Sequence, residues 1–328
     1  MSLDGAFLHI VTNELQPLVG ARVDKVYQPS REEIVVSLRT YRDGGKKIVL
    51  SANSVSARVN LTSAAFENPQ QPPMFCMLLR KHLSSGKLMA IRQDGLERIV
   101  ALDFECTNEI GDIVTNTLIA EIMGRHSNII LVRDGRVIDS VKRITDDISS
   151  VRRVLPGIQY EAPPRQDRLC LLDCEPEQVL NAIADSPERL CKKLSAVLEG
   201  VSPILTREIA WYSAKDVDAV CSTLSDSARD RLRFILGRIK SALSGGECSF
   251  TVVSEPGGRK KDFCFINIEQ YSTSMVISHA DSANGLLDDF FSSQDRTERT
   301  RQRAHDLLKL LMNSYERVSR KLELQKKE

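Results

Sequence analysis

The densest group of residues able to do chemistry is Glu121-Ile122-Met123-Gly124-Arg125-His126-Ser127-Asn128, set between two apolar runs. Gly124 permits a sharp turn, the Arg125 guanidinium can fork onto a phosphate or a base edge, and Ser127 and Asn128 can hydrogen-bond a sugar or a base. A purely structural turn uses the same residue types, so both readings stand. His126 has no second ligand at usable spacing, so it reads as a hydrogen-bonding loop residue, and neither a metal nor a cofactor is expected.

A second candidate is Glu97-Arg98, just after Gly95 at the mouth of a hairpin, with Lys87 and Arg92 on the preceding strand. A surface ion pair contributes little stability, whereas the same two residues beside the Arg125 loop would line a polar groove. In Leu198-Glu199-Gly200-Val201-Ser202-Pro203, Gly200 and Ser202 suit a helix–hairpin–helix that offers amides and a helix N-terminus to a phosphate. An ordinary helical hairpin fits those residues equally. Arg80-Lys81-His82 suits the C-terminal end of a helix dipole, and Arg296, Arg299, Arg301 and Arg303 read first as a solvated helix face, with phosphate contact second. No Walker loop, GxGxxG, GxSxG or HExxH motif occurs, and Asp146-Asp147 need not face one substrate, so no catalytic residue and no enzyme activity are expected.

These residues need elements to hold them. The spacing of Leu3, Phe7, Ile10, Val11, Leu15 and Leu18 predicts a helix over 3–18 with Ser2 as its cap and Gly20 closing it. Strands follow at Arg22–Gln28, Glu33–Thr40, Lys47–Ala52 and Arg58–Leu61, with a turn at 42–46. Pro72-Pro73 opens a helix over Met74–Leu83 that Gly86 ends, and two more hairpins cover about Lys87–Glu105 and Ile113–Val141, the latter turned at Asp134-Gly135. After the Ala162-Pro163-Pro164 crossing, short helices are expected at Glu175–Ala184, Pro187–Leu198, Pro203–Trp211, Val217–Leu224 and Ala228–Ser244. A hairpin of Ser249–Ser254 and Asp262–Ile268 cannot bury a face alone and should pack back on the first domain. Ala304, Leu308, Leu311, Tyr315, Val318 and Leu322 alternate steps of four and three, which is a heptad seam; no cap follows it, so the protein is expected to continue beyond Glu328.

The reading is therefore α+β, with four parts: residues 1–170 as an antiparallel β-rich domain, 171–246 as a helix–hairpin–helix region, 247–294 as a hairpin and helix packing back on it, and 295–328 as the start of a coiled coil. The formal charge of +1 hides a distribution: residues 1–165 carry 21 Lys and Arg against 19 Asp and Glu, 166–294 carry 14 against 19, and 295–328 carry 10 against 6. Basic ends thus flank an acidic middle, and bulk charge alone does not suggest nucleic acid. No stretch approaches the roughly 18 uninterrupted apolar residues of a membrane span, the first residues lack a signal-peptide pattern, and eight cysteines never form CxxC. A cytoplasmic protein with reduced thiols and no membrane partner is expected.

Five ordered stretches carry a resemblance: Met-Ser-Leu-Asp-Gly at 1–5, Arg-Val-Asp-Lys-Val-Tyr-Gln-Pro at 22–29, Pro-Pro-Met-Phe-Cys-Met-Leu-Leu-Arg-Lys-His-Leu at 72–83, the 121–128 loop, and Val-Leu-Pro-Gly at 154–157. Together they resemble the bacterial RqcH proteins of the NFACT superfamily, long labelled fibronectin-binding A proteins. The resemblance implies an NFACT-N domain similar to the N-terminal domain of formamidopyrimidine-type DNA glycosylases, then a helix–hairpin–helix region and a coiled coil. It implies a factor that binds the large ribosomal subunit, its rRNA and its proteins, with a peptidyl-tRNA nascent-chain complex still in place, and recruits alanyl-tRNA for untemplated C-terminal tailing. In that family an acidic residue and an arginine, matched by Glu97-Arg98, and the matched loop Glu121, Ile122, Met123, Gly124, Arg125, His126, Ser127 and Asn128 are associated with tRNA; Glu97 stands where Asp is usual. Two rival readings, a fibronectin-binding surface adhesin and a DNA-glycosylase-like protein, are disfavoured by the missing signal pattern and by the absence of the glycosylases' N-terminal proline and glutamate.

Overall fold

Helix α1 (Gly5–Leu15) carries Ala6, Phe7, Leu8, Ile10, Val11 and Leu15 into the interior, so nearly its whole circumference is apolar and buried. A helix apolar all round is stable only inside a core. Its cap is Asp4, whose carboxylate accepts from the Phe7 N–H at 2.7 Å. That replaces the expected cap Ser2, which lies outside the described residues. The computed structural model describes the backbone of residues 3–40, 44–148 and 152–325, and the side chains of these except 293–299, 302, 303, 306, 323 and 324.

The fold is α+β. Nine antiparallel strands form one sheet: β1 (Arg22–Ser30), β2 (Glu33–Thr40), β3 (Gly44–Ser51), β4 (Arg58–Leu61), β5 (Lys87–Arg92), β6 (Ile99–Thr107), β7 (Ile113–Glu121), β8 (Asn128–Arg133) and β9 (Arg136–Ser140). Their order is β4-β3-β2-β1-β5-β6-β7-β8-β9, two meanders joined where Arg22 of β1 pairs with Lys87 of β5. Alternation drives the pairing: Val100, Leu102 and Phe104 of β6 are buried while Asp103 and Glu105 point away. Helix α2 (Met74–Leu83) packs on β1, with Cys76, Leu79 and Leu83 fully buried. The expected turn at 42–46 falls partly outside the described residues, and Gly44 already belongs to β3.

Helices α3 (Pro176–Ile183), α4 (Leu190–Val197), α5 (Pro203–Ala214) and α6 (Asp226–Leu243) follow. The helix expected over Val217–Leu224 is reduced to one 3-10 turn, Cys221–Thr223. Asp216 and Lys215 explain this: Lys215 is left-handed at φ 57° and ends α5, and the Asp216 carboxylate caps a local turn by accepting from Asp218 N–H at 2.9 Å. The hairpin β10 (Phe250–Ser254) and β11 (Lys260–Cys264) gains a third strand that the sequence pattern does not announce, β12 (Val276–Ala280), on the free side of β10. Phe7 meets Phe263, Phe250 and Phe265 edge-on at centroid distances of 4.9, 6.3 and 6.4 Å, so the first helix and this small sheet share a core.

Helix α7 (Ala283–Gln325) begins against α1: the Glu14 carboxylate accepts from the N–H groups of Ala283 and Asn284 and from Asn284 Nδ2, at 2.7–2.9 Å. Contacts divide the chain into two units, Met1–Asp288 and Asp289–Glu328. Within the second, Leu308, Leu311, Tyr315, Val318 and Leu322 are all exposed. The side chains of Arg296, Arg299 and Arg303 lie outside those described, and Arg301 is exposed.

Candidate nucleic-acid interface

The β5–β6 loop is held by three chain segments meeting at glycines. A Cβ on Gly5 would lie 1.6 Å from the Leu96 carbonyl oxygen, and one on Gly200, at φ +65°, would lie 2.4 Å from it. Only glycine lets α1, the loop and the 198–202 turn approach this closely. Ala6 N–H donates to the Gly200 carbonyl at 2.8 Å, Leu96 N–H donates to Glu199 Oε2 at 3.1 Å, and Gln93 Nε2 donates to the carbonyls of Gly5 (3.0 Å) and Glu97 (2.7 Å).

The phosphate reading of Gly200 and Ser202 meets a packed junction. Gly200 sets its backbone against Leu96 and Gly5, and half-buried Ser202 hydrogen-bonds the Asp4 carboxyl, so part of what this turn could offer a phosphate is already engaged. Burial raises the Asp4 pKa, while Ser202, the Phe7 N–H and the Arg98 charge oppose the rise. Burial also pushes Asp262, on the neighbouring strand β11, up to about 6.

Glu97 does not turn toward Arg125. Its carboxylate accepts from Arg165 Nε at 3.4 Å, and the same guanidinium reaches Asp94 at 2.9 Å and Glu199 at 3.5 Å. Burial and the Glu199 charge raise the Glu97 pKa, against the pull of Arg165. Arg98 is half-buried; its carbonyl accepts from Ile122 N–H at 2.8 Å, next to the pair Ile99↔Glu121. The Glu97-Arg98 loop and the 121–128 loop therefore share one end of the sheet, as their hairpin positions predict.

Within the 121–128 loop four residues build and four are presented. Glu121 is fully buried, pairing with Arg152 and accepting from the Tyr160 hydroxyl at 2.9 Å, and Ile122 is fully buried. Burial and the Glu121 carboxylate raise the Tyr160 pKa. Ser127 Oγ accepts from Met123 N–H at 2.8 Å, closing the loop on itself. Buried Asn128 accepts from Lys142 N–H (2.9 Å) and donates to the Lys142 carbonyl (2.8 Å), and Lys142 Nζ reaches Glu32 and the Ala52 carbonyl. For Glu121, Ile122, Ser127 and Asn128, then, a direct ligand contact is replaced by a structural role. Met123, Gly124, Arg125 and His126 remain accessible; Gly124 has φ +58°, and Arg125 Nε donates to His126 Nε2 at 2.9 Å. An exposed guanidinium and imidazole on a braced turn, beside Arg98, can contact an anion or a base edge.

Sequence reasoning missed Arg165, Arg152, Tyr160 and Lys142. Each acts across 14 or more residues, and only the Pro163-Pro164 step before Arg165 hinted at a fixed position.

Residues 4–328 match the family described as NFACT N-terminal and middle domains, and the chain belongs to that family. It is 32% identical over 328 residues to the Rqc2 homolog RqcH of Bacillus subtilis, covering 98% of this chain and 54% of that protein. The chain thus spans about half the length of such relatives. Among solved structures it is similar to the fibrinogen binding protein from Staphylococcus aureus (TM-score 0.73, 31% identity, 89% of this chain and 99% of that one). It is likewise similar to the N-terminal part of the fibronectin/fibrinogen-binding protein from Streptococcus suis (TM-score 0.71, 31% identity, 89% and 100%).

Proposed function

We propose that the chain is the tRNA-engaging part of a cytoplasmic ribosome quality-control factor. Acting with the large ribosomal subunit and its peptidyl-tRNA, it recruits tRNA, alanyl-tRNA in bacteria, for untemplated tailing of stalled nascent chains. The observation that carries this reading is the Ile122 N–H to Arg98 carbonyl bond, which brings Arg98 and the accessible Met123–His126 segment, with Arg125 and His126 exposed, to one edge. The similarity to RqcH supports the ribosomal setting. Peptide transfer in this scheme is ribosomal chemistry, so the chain positions substrates and is not an enzyme. The exposed heptad residues Leu308 to Leu322 supply the seam of a coiled coil.

The test is tRNA affinity against salt for the chain and for Arg98→Ala and Arg125→Ala. Affinity should fall as salt rises, because bound cations release counterions from the phosphates. Each variant should lose about 1–3 kcal/mol of binding if its contact is to a base edge, or mainly flatten the salt dependence if it touches only phosphate. Thermal midpoints should stay put for Arg125→Ala. Unchanged tRNA affinity in both variants would remove the assignment, and saturable binding to immobilised fibronectin without tRNA binding would favour the adhesin.

A further inference from the structure

Helix α6 buries Leu232, Ile235, Leu236 and Ile239, yet its solvent face carries Phe234 between Arg231 and Arg238, three residues before and four after. Phe234 is 57% exposed, and among the described residues no other phenylalanine is exposed. The ring does not stand alone. Tyr212 of α5 lies almost parallel to it, at 17° with centroids 6.3 Å apart. Lys215 Nζ stands 5.8 Å from the ring centroids of both Tyr212 and Trp211, the chain's single tryptophan. Arg231 is fastened beside this shelf by a 2.7 Å bond from Nε to the Ser213 carbonyl. Among the described residues neither Arg231 nor Arg238 has a carboxylate within ion-pair distance, unlike Arg233 on the same helix, which pairs with Glu177 and Asp230.

Next to the shelf opens a cleft of about 160 Å³ whose lining includes Tyr212, Arg238, Glu247, Asn267 and Glu269. Its carboxylates and amide offer acceptors for amino groups, while the arginines stand at its edge and on the adjoining helix face. Flat apolar rings, flanking cations and nearby acceptors are the three things an unpaired nucleotide needs: a stacking face, a phosphate partner and a partner for its base edge.

We infer that this face, formed by Tyr212, Lys215, Arg231, Phe234 and Arg238, docks an unpaired segment of RNA, with bases on the Tyr212–Phe234 shelf and phosphates on the arginines. It shares no residue with the Arg98 and Arg125 edge. It also gives the acidic middle of the chain a local site whose two arginines are not spent on neighbouring carboxylates, while Lys215 stands 3.8 Å from Glu269.

Trp211 is the reporter. An unstructured RNA oligonucleotide of about ten nucleotides should quench its emission in a saturable, salt-sensitive way, and a blunt duplex of the same sequence should not. Phe234→Leu keeps an apolar side chain but removes the ring, and should weaken binding about tenfold. Phe234→Tyr should retain it, and because Phe234 is exposed neither change should alter folding. Arg125→Ala should leave the quenching intact, so failure here and failure of the tRNA edge read out separately. Equal binding of duplex and oligonucleotide, or unchanged affinity in Phe234→Leu, would overturn the inference. Binding of RNA-free large-subunit proteins without any binding of the oligonucleotide would overturn it in favour of a protein partner.

Discussion

The turns at Gly124 and at Gly200 both set a positive-φ glycine close to a serine, at φ +58° and +65°, and both sit beside the sheet end that carries Arg98. They serve opposite ends. Nothing approaches a Cβ at Gly124 more closely than the Ser54 carbonyl at 3.9 Å, whereas at Gly200 the Leu96 carbonyl oxygen stands 2.4 Å away. One turn presents Arg125 and His126 to solvent; the other is a joint between three segments of chain. The lesson is that a glycine–serine turn can offer its side chains to a ligand only where packing leaves its outer side open.

Gly200→Ala should have the largest effect, on the order of 4 kcal/mol of stability, because backbone and not a flexible side chain blocks the new methyl and φ is also unfavourable. A drop of under about 1 kcal/mol in urea titration would dissolve the contrast between the turns. Arg152→Ala comes next: it leaves the Glu121 carboxylate buried without its cation and should cost about 3 kcal/mol. Its midpoint should fall well below that of Arg125→Ala, which touches only the presented segment.

The third effect is a pH dependence on the Gly200 side. Asp262 titrates at about 6 in the folded chain, against an ordinary carboxyl value of 3.8, so it binds its proton more tightly when folded and unfolding releases it. Stability from this group is full below the unfolded value and declines as pH rises through the folded one, by about 2 kcal/mol between roughly pH 4 and 6. Asp262→Asn should remove that part of the slope; an identical stability–pH curve for the variant would refute the burial account. The smallest effect is Gly124→Ala, about 1 kcal/mol from the left-handed backbone alone, measurable by thermal melts with folding retained.

Elements with local signals were legible. Met74–Leu83 appears with its expected bounds because Pro73 precedes it and apolar residues recur at helical spacing, and the Asp134-Gly135 hairpin turn has both residues at positive φ as such a turn requires. Strand β12 was not legible, since Val276–Ala280 is a short edge strand with no buried position to impose alternation. The neighbourhood of Arg98 and Arg125 was legible because a hairpin ladder fixes which turns share an end. Arg165 gripping Glu97 was not, because a partner 68 residues away leaves no periodicity.

Helix α1 is made well before what seals it. Gly200 receives its Ala6 N–H, Phe263 and Phe265 cover Phe7, and Asn284 ties down Glu14 across 270 residues. At roughly 5–20 residues per second of elongation, this apolar helix waits about 15 to 50 s for its last partner. During that interval the nascent chain carries an apolar helix whose covering partners have not yet been made, so its exposed surface is set by the order of synthesis and not by the finished fold.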